Sequence, residues 1–101
     1  VKRVRAFEKS TAGNGTILFH CDASQAGGKM PVDTQKLGVD YMTMAGHKIY
    51  ATKGVGILYI RNGSLEPKQI IHGANQEKGR RAGTENVILC VGMGKYHELE
   101  L

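Results

Sequence analysis

Residues 40–48 read DYMTMAGHK, a short apolar run that ends in a turn containing glycine, histidine and lysine. The pattern predicts a strand over Asp40–Ala45 and then a turn. An earlier apolar run, Thr16–His20, predicts a second strand with Asp22 just beyond its end. Residues 23–39 are long enough for the crossover that parallel strands need. Asp22 and the turn are therefore expected at one edge of the sheet, where open α/β sheets bind ligands.

The other segments predict further elements around these two strands. Residues 1–12 show helical spacing of apolar side chains, and Gly13–Gly15 is a predicted turn. A third run, Gly54–Ile60, follows too soon for a parallel crossover and should run antiparallel to the second strand. The remaining predictions are a helix between Pro31-Val32-Asp33 and Gly38, a short strand at Gln69–Ile71, a polar loop over 73–86 and a helix from Val87 onward.

Length and composition restrict the class of protein. The 101 residues suffice for one small domain or part of a larger one, and their net charge is +5. The longest apolar run, Val87–Gly94, is far shorter than the ~20 residues of a membrane helix. Two cysteines and no secretion signal predict reduced thiols in an intracellular protein, cytoplasmic or mitochondrial. The basic residues are scattered and lack base-stacking aromatics, so a nucleic-acid-binding module ranks third among the hypotheses.

Lys48 and Asp22 have the clearest chemical meaning. A lysine on a half-buried rim after a strand can lose its charge and attack a carbonyl carbon to form a Schiff base. A carboxylate that ends an apolar strand needs a cationic partner, such as a protonated pyridine nitrogen. The two residues together suit pyridoxal phosphate, and Gln25 is near enough to donate to a ring hydroxyl. The alternatives are a solvated lysine, an Asp22 that caps a turn or pairs with Lys48, and a turn glutamine.

Two other patterns bear on ligand binding. The pair Arg80-Arg81 precedes Thr84, a good N-cap for a helix, and the free amides behind such a cap, together with two arginines, favour an anion. An exposed basic loop with an ordinary cap is the alternative. Metal-binding spacings are absent from the sequence, and strand alternation separates Cys21 from the histidine and aspartate beside it, so we expect no metal site. Cys90 lies in an apolar helical segment and is expected in the core.

Three motifs, taken in order and with their spacing, resemble those of a known family. They are HCDASQAGGK at 20–29, GHK at 46–48 followed by GVGILYIR at 54–61, and RAGTEN at 81–86. The chain resembles the NifS-like cysteine desulfurases and selenocysteine lyases of the class V aminotransferase superfamily. The resemblance implies an α/β fold of type I, in which residues 1–101 form part of the mixed, mostly parallel sheet of the large domain that binds pyridoxal phosphate.

The resemblance also implies roles for individual residues. Lys48 would bind pyridoxal phosphate as a Schiff base and act as the catalytic acid and base. Asp22 would pair with the pyridine nitrogen of the cofactor, and Gln25 would contact its ring hydroxyl. His47 would contact the phosphate, and Thr84 would reach the phosphate of the partner subunit in a homodimer.

Two departures from the family pattern shape the hypotheses. Ala45 stands where many desulfurases carry a phosphate-contacting serine, and neither cysteine matches the family's sulfur-accepting cysteine.

Family members are several-fold longer, so we expect a segment of an enzyme that releases sulfur or selenium from cysteine or selenocysteine to an acceptor protein and forms alanine. The segment alone is expected to be inactive. The alternative is a truncated, non-catalytic relative that binds a full-length partner through the Thr84 loop and the following helix.

Overall fold

The computed structural model describes residues 5–7 and 17–99. Residues 5–7 are helical, and the rest of the helix predicted over 1–12, like the turn predicted at Gly13–Gly15, lies outside the described residues. The strands are β1 (His20–Asp22), β2 (Tyr41–Ala45) and β3 (Gly56–Ile60), and the helices that follow residue 17 are α1 (Thr34–Leu37), α2 (Gln76–Gly79) and α3 (Val87–Leu99). α2 is a single distorted turn within the predicted loop over 73–86, because its residues Glu77 and Lys78 have left-handed rather than helical backbone angles.

The three strands form one mixed sheet in the order β1-β2-β3. β1 is parallel to β2, with Asp22 opposite Thr43. β2 is antiparallel to β3, with Ala45 opposite Gly56. Both directions agree with those predicted from the lengths of the connections, and the α/β class is confirmed.

Two strand predictions need correction. The first strand is displaced from Thr16–His20, because only His20–Asp22 lie opposite β2 and can form ladder hydrogen bonds. Gln69–Ile71 is not a strand. Its backbone supports a loop instead, since the Ile71 carbonyl accepts from the Ala82 amide at 3.0 Å.

The short helix α1 has the ends that the sequence predicts. Asp33 Oδ1 accepts from the amides of Gln35 at 2.9 Å and Lys36 at 3.0 Å, which satisfies donors that have no partner within the helix. Gly38 ends the helix with φ 66°, a left-handed conformation that glycine adopts without strain. This crossover returns the chain to the start of β2.

The core is a small cluster on the sheet, and it includes one buried charge. Ala23, Val39 and Met42 form its centre. Asp40 is 1% exposed at the start of β2 and forms ion pairs with Arg5 and Arg61. Its carboxylate also accepts from the Phe19 amide at 2.7 Å and the Ser64 hydroxyl at 3.0 Å.

The pKa of Asp40 follows from these contacts. Burial is the largest single influence and raises the pKa. The bonds from Phe19, Arg5 and Ser64 together outweigh burial and lower the pKa to about 2. Asp40 is therefore ionised in the folded chain at neutral pH and joins the segments that precede β1 and follow β3.

The apolar side chains of α3 are largely exposed. Val87, Ile88 and Val91 all face outward, and Cys90 is exposed too. The prediction that Cys90 lies in the core is wrong, because the described residues leave this face of α3 uncovered. Among those residues, no helix combines the length and apolar character that crossing a bilayer requires.

Candidate functional site at the carboxyl edge of the sheet

The parallel pair β1 and β2 brings the predicted site residues to one edge. The Ala23 amide donates to the Thr43 carbonyl at 2.8 Å, so the pairing continues one residue past β1. Asp22 thus lies opposite Thr43, two residues before the end of β2, and the turn at Gly46–Lys48 follows directly after that end. Both lie at the same edge of the sheet.

The turn after β2 depends on glycine at its first position. Gly46 is buried and its amide donates to the Val55 carbonyl at 2.9 Å. A Cβ on Gly46 would lie 2.8 Å from Val55 Cγ1 and 2.9 Å from the Val55 carbonyl oxygen. The Gly46 carbonyl accepts from the amides of Ile49 and Ala51, which closes the turn. This packing fixes the backbone from which His47 and Lys48 project.

The side chains of His47 and Lys48 in this turn are both exposed. The expectation that Lys48 lies on a half-buried rim is therefore wrong for this structure, because the turn extends past the open edge of the sheet. Anchoring comes from Ile49, which is buried directly after Lys48. The lysine is fixed at its backbone and accessible at its amine.

Asp22 is exposed and caps a turn. Its Oδ1 accepts from the Ser24 amide at 2.9 Å. The hydrogen bonds from the Ser24 side chain and backbone lower the pKa of Asp22, and His20 adds a smaller effect in the same direction. In the described part of the chain Asp22 forms no ion pair with Lys48, so that alternative is not observed. The carboxylate is ionised and open to a cationic ligand.

Gln25 lies in the turn that follows Asp22 and is exposed. Its Oε1 accepts a hydrogen bond from Lys29 Nζ at 2.9 Å. Because the ammonium only donates, the bond directs the carboxamide oxygen toward Lys29 and leaves the amide NH₂ as the donor for any other partner. That donor is the group needed to contact a ring hydroxyl.

A groove of about 870 Å³ joins the edge of the sheet to the loop over 73–86. Ser24, Thr43 and His47 line it from the sheet side, and Arg80 and Arg81 line it from the loop. The carboxylate of Glu77 also lines it. Asp22, Gln25, Lys48 and Thr84 are not among the lining residues. The groove therefore gathers histidine, serine and arginine side chains that can bind an anion.

The sequence patterns do not point to Ser24 as a site residue, although it lines this groove and its amide donates to the Asp22 carboxylate. Its position two residues after an aspartate that ends a strand is typical of a local turn. That spacing was the available signal.

Thr84 is exposed, and the prediction that it caps the following helix is wrong. α3 begins at Val87. Asn86 is the capping residue, since its Oδ1 accepts from the Leu89 amide at 3.2 Å and its carbonyl from the Cys90 amide at 3.0 Å. Asparagine is as good a cap as threonine, and here it lies directly before the first apolar turn.

The chain is similar in sequence to known proteins. The chain matches the family Aminotransferase class-V over residues 2–100. It is 51% identical over 81 residues to the cysteine desulfurase IscS of Plasmodium falciparum (isolate 3D7), which covers 78% of this chain and 15% of that protein.

Solved structures are similar as well. One is a NifS-like protein with 41% identity and a TM-score of 0.82, over 96% of this chain and 26% of that one. Another is SspA in complex with cysteine, with 39% identity and a TM-score of 0.77, over 92% and 25%. The chain spans only 15–21% of the length of the curated relatives it matches. Because the family match includes nearly every residue, the chain belongs to the class-V aminotransferase family.

Proposed function

We propose that residues 1–101 are part of the cofactor-binding domain of a pyridoxal-phosphate-dependent cysteine desulfurase. The reaction removes sulfur from cysteine and leaves alanine, and selenocysteine is the alternative substrate. The observation that carries the proposal is the position of Asp22 and the Gly46-His47-Lys48 turn at the same edge of the sheet, where His47 and two arginines line a groove.

The residues present fit pyridoxal phosphate. Asp22 is an accessible carboxylate whose pKa is lowered by the hydrogen bonds from Ser24, so it can pair with a protonated ring nitrogen. Lys48 offers an accessible amine to an aldehyde carbon. His47 and Arg81 line a groove that suits a phosphate. Gln25 retains a free amide donor for the ring hydroxyl.

The cofactor and these side chains would each supply part of the chemistry. Pyridoxal phosphate, when bound, supplies an electron-withdrawing ring that stabilises negative charge on the substrate carbon. Lys48 would hold the cofactor and then move a proton at its Nζ to and from the substrate. Asp22 would keep the ring nitrogen protonated, which preserves the electron demand of the ring.

The substrate and partners rest on the relatives. IscS is named a cysteine desulfurase, and SspA has been solved with cysteine, so cysteine is the first substrate to test. The released sulfur would pass to an acceptor protein. A second copy of the chain would complete the site through Thr84, which is exposed and available for such a contact.

The segment alone is proposed to be inactive. Large apolar side chains such as Ile70, Ile88 and Val91 remain exposed. Apolar surface of this extent normally packs against other protein. Alanine formation from cysteine by residues 1–101 in isolation would contradict this part of the proposal.

The test is a comparison of two lysines near the same turn. In the full-length protein loaded with pyridoxal phosphate, Lys48→Ala should abolish the yellow absorption of the bound cofactor and the formation of alanine. Lys53→Ala, also exposed and five residues away, is the matched control and should retain both. Persistence of the yellow absorption in Lys48→Ala would refute the assignment.

A further inference from the structure

Arg80 is held by a two-pronged ion pair with Glu66. Its Nε donates to Glu66 Oε2 at 2.8 Å and its Nη2 to Glu66 Oε1 at 2.9 Å. Parallel bonds of this kind fix the plane of a guanidinium as well as its position. The pair connects the segment that follows β3 to the loop over 73–86, which contains Arg81 and Thr84.

The two arginines of the groove differ in their partners. Both bonds of the Arg80 guanidinium go to the single carboxylate of Glu66, and they lower the pKa of Glu66 and raise the pKa of Arg80. Arg81 instead donates to the carbonyls of Ala82 and Gly83, at 3.2 and 3.1 Å, and approaches Glu77 only to 3.7 Å. Both arginines therefore have an acidic partner, but Arg80 is held by two short parallel bonds, whereas Arg81 pairs with Glu77 only at the longer distance.

The loop over 73–86 has a backbone that needs external support. Glu77 and Lys78 have φ values of 51° and 58°, a left-handed conformation that is unfavourable for residues with side chains. The Gln76 side chain ties the loop to itself by accepting from the Gly83 amide at 3.1 Å. The pair of Glu66 with Arg80 is a side-chain tie to the segment outside the loop.

We propose that Glu66 is a positioning residue for the phosphate side of the cofactor site: it holds Arg80 as a strut for the loop, and Arg81 supplies the charge that meets the phosphate. This inference rests on the proposed function. It differs from the simpler view in which both arginines bind the phosphate directly and Glu66 is only a competing anion.

The two views predict opposite signs for one substitution. The measurement is the dissociation constant of pyridoxal phosphate, and of pyridoxal, for the full-length protein carrying Lys48→Ala, so that binding is non-covalent. If Glu66 positions the loop, Glu66→Ala weakens binding of pyridoxal phosphate by about threefold, in the range measured for exposed ion pairs. Arg80→Ala weakens binding of pyridoxal phosphate by a similar factor, and the double variant binds it no more weakly than either single variant. The affinity for pyridoxal is unchanged in all three.

Tighter binding of pyridoxal phosphate by Glu66→Ala would overturn the inference, because it would mean that Arg80 binds the phosphate once released. An unchanged affinity would overturn it too. Glu98→Ala, which removes another exposed ion pair, with Lys95 at 3.0 Å, is the matched control and should have no effect. If Glu66→Ala does not fold, the double variant Glu66→Arg with Arg80→Glu is tested in its place, because it swaps the two charges. This variant should recover most of the affinity for pyridoxal phosphate that Arg80→Glu alone loses. No recovery would overturn the inference.

The experiment separates this inference from the function on which it rests. A wild-type protein that never becomes yellow with pyridoxal phosphate refutes the proposed function, and the inference falls with it. If the wild type becomes yellow but the affinity for pyridoxal phosphate is the same with and without Glu66, the inference alone is refuted.

Discussion

Replacing Asp40 by asparagine tests how much the buried charge of Asp40 contributes to the stability of the protein. Asp40→Asn keeps the shape of the side chain and an acceptor for the Phe19 amide, but it removes the charge that faces Arg5 and Arg61. The pKa falls from an ordinary 3.8 to about 2 in the folded chain. At about 1.4 kcal/mol for each pKa unit, ionised Asp40 contributes about 2 kcal/mol to the free energy of unfolding.

The pH dependence of this contribution has a definite sign. Folding lowers the pKa of Asp40, so the stabilisation is complete above the unfolded value of 3.8 and is lost as the pH falls through about 2. Urea unfolding of the full-length protein should therefore show a deficit of about 2 kcal/mol for Asp40→Asn at pH 7. The deficit should shrink between pH 4 and the lowest pH at which the protein remains folded.

A second aspartate provides the control. Asp33 is a helix cap, asparagine caps a helix equally well, and the ion pair of Asp33 with Lys36 is exposed, so Asp33→Asn should lower the urea midpoint at pH 7 far less than Asp40→Asn does. A deficit for Asp40→Asn that is independent of pH would refute the reasoning, because the loss would then come from packing rather than charge. So would an Asp40→Asn protein as stable as the wild type.

Three further substitutions test local features by thermal or urea unfolding. Gly46→Ala should destabilise the protein by about 1–3 kcal/mol, because its Cβ would overlap Val55. Gly92→Ala should stabilise it by up to ~1 kcal/mol, since Gly92 lies within α3 with open space around it; equal losses at both glycines would contradict this account. Asn86→Ala should cost about 1 kcal/mol by removing the acceptor for the Leu89 amide, and Asn86→Ser should recover most of it; no loss would rule Asn86 out as the cap.

The sequence predicts the elements whose signals are local. Asp33 and Gly38 mark the ends of α1 with a cap and a left-handed stop, and both are observed. The lengths of the connections also predict the directions of β2 and β3. The start of β1 was not predictable, because apolar residues at 17–19 look like strand residues and only pairing with β2 determines where the ladder begins.

The candidate site is predictable where it depends on strand ends, and less so where it depends on loops. Parallel pairing places Asp22 at the same edge of the sheet as the turn that carries Lys48, as expected. Glu66 gave no sequence signal, since its partner Arg80 is 14 residues away and the intervening loop has no regular period. Cys90 was misplaced for a related reason: apolar periodicity indicates a helix but does not say which neighbour covers it.

The residues that stabilise the sheet and the residues proposed to bind the cofactor lie at opposite edges of it. Asp40, Phe19 and Arg61 meet where β2 begins and β3 ends, and there the buried charge of Asp40 is paired. Asp22 and Lys48 lie at the other edge, exposed and without an ion pair in the described residues. Lys48→Ala should consequently remove cofactor chemistry while leaving the urea midpoint of the cofactor-free protein unchanged. A loss of stability in Lys48→Ala as large as that in Asp40→Asn would show that the two edges are not independent.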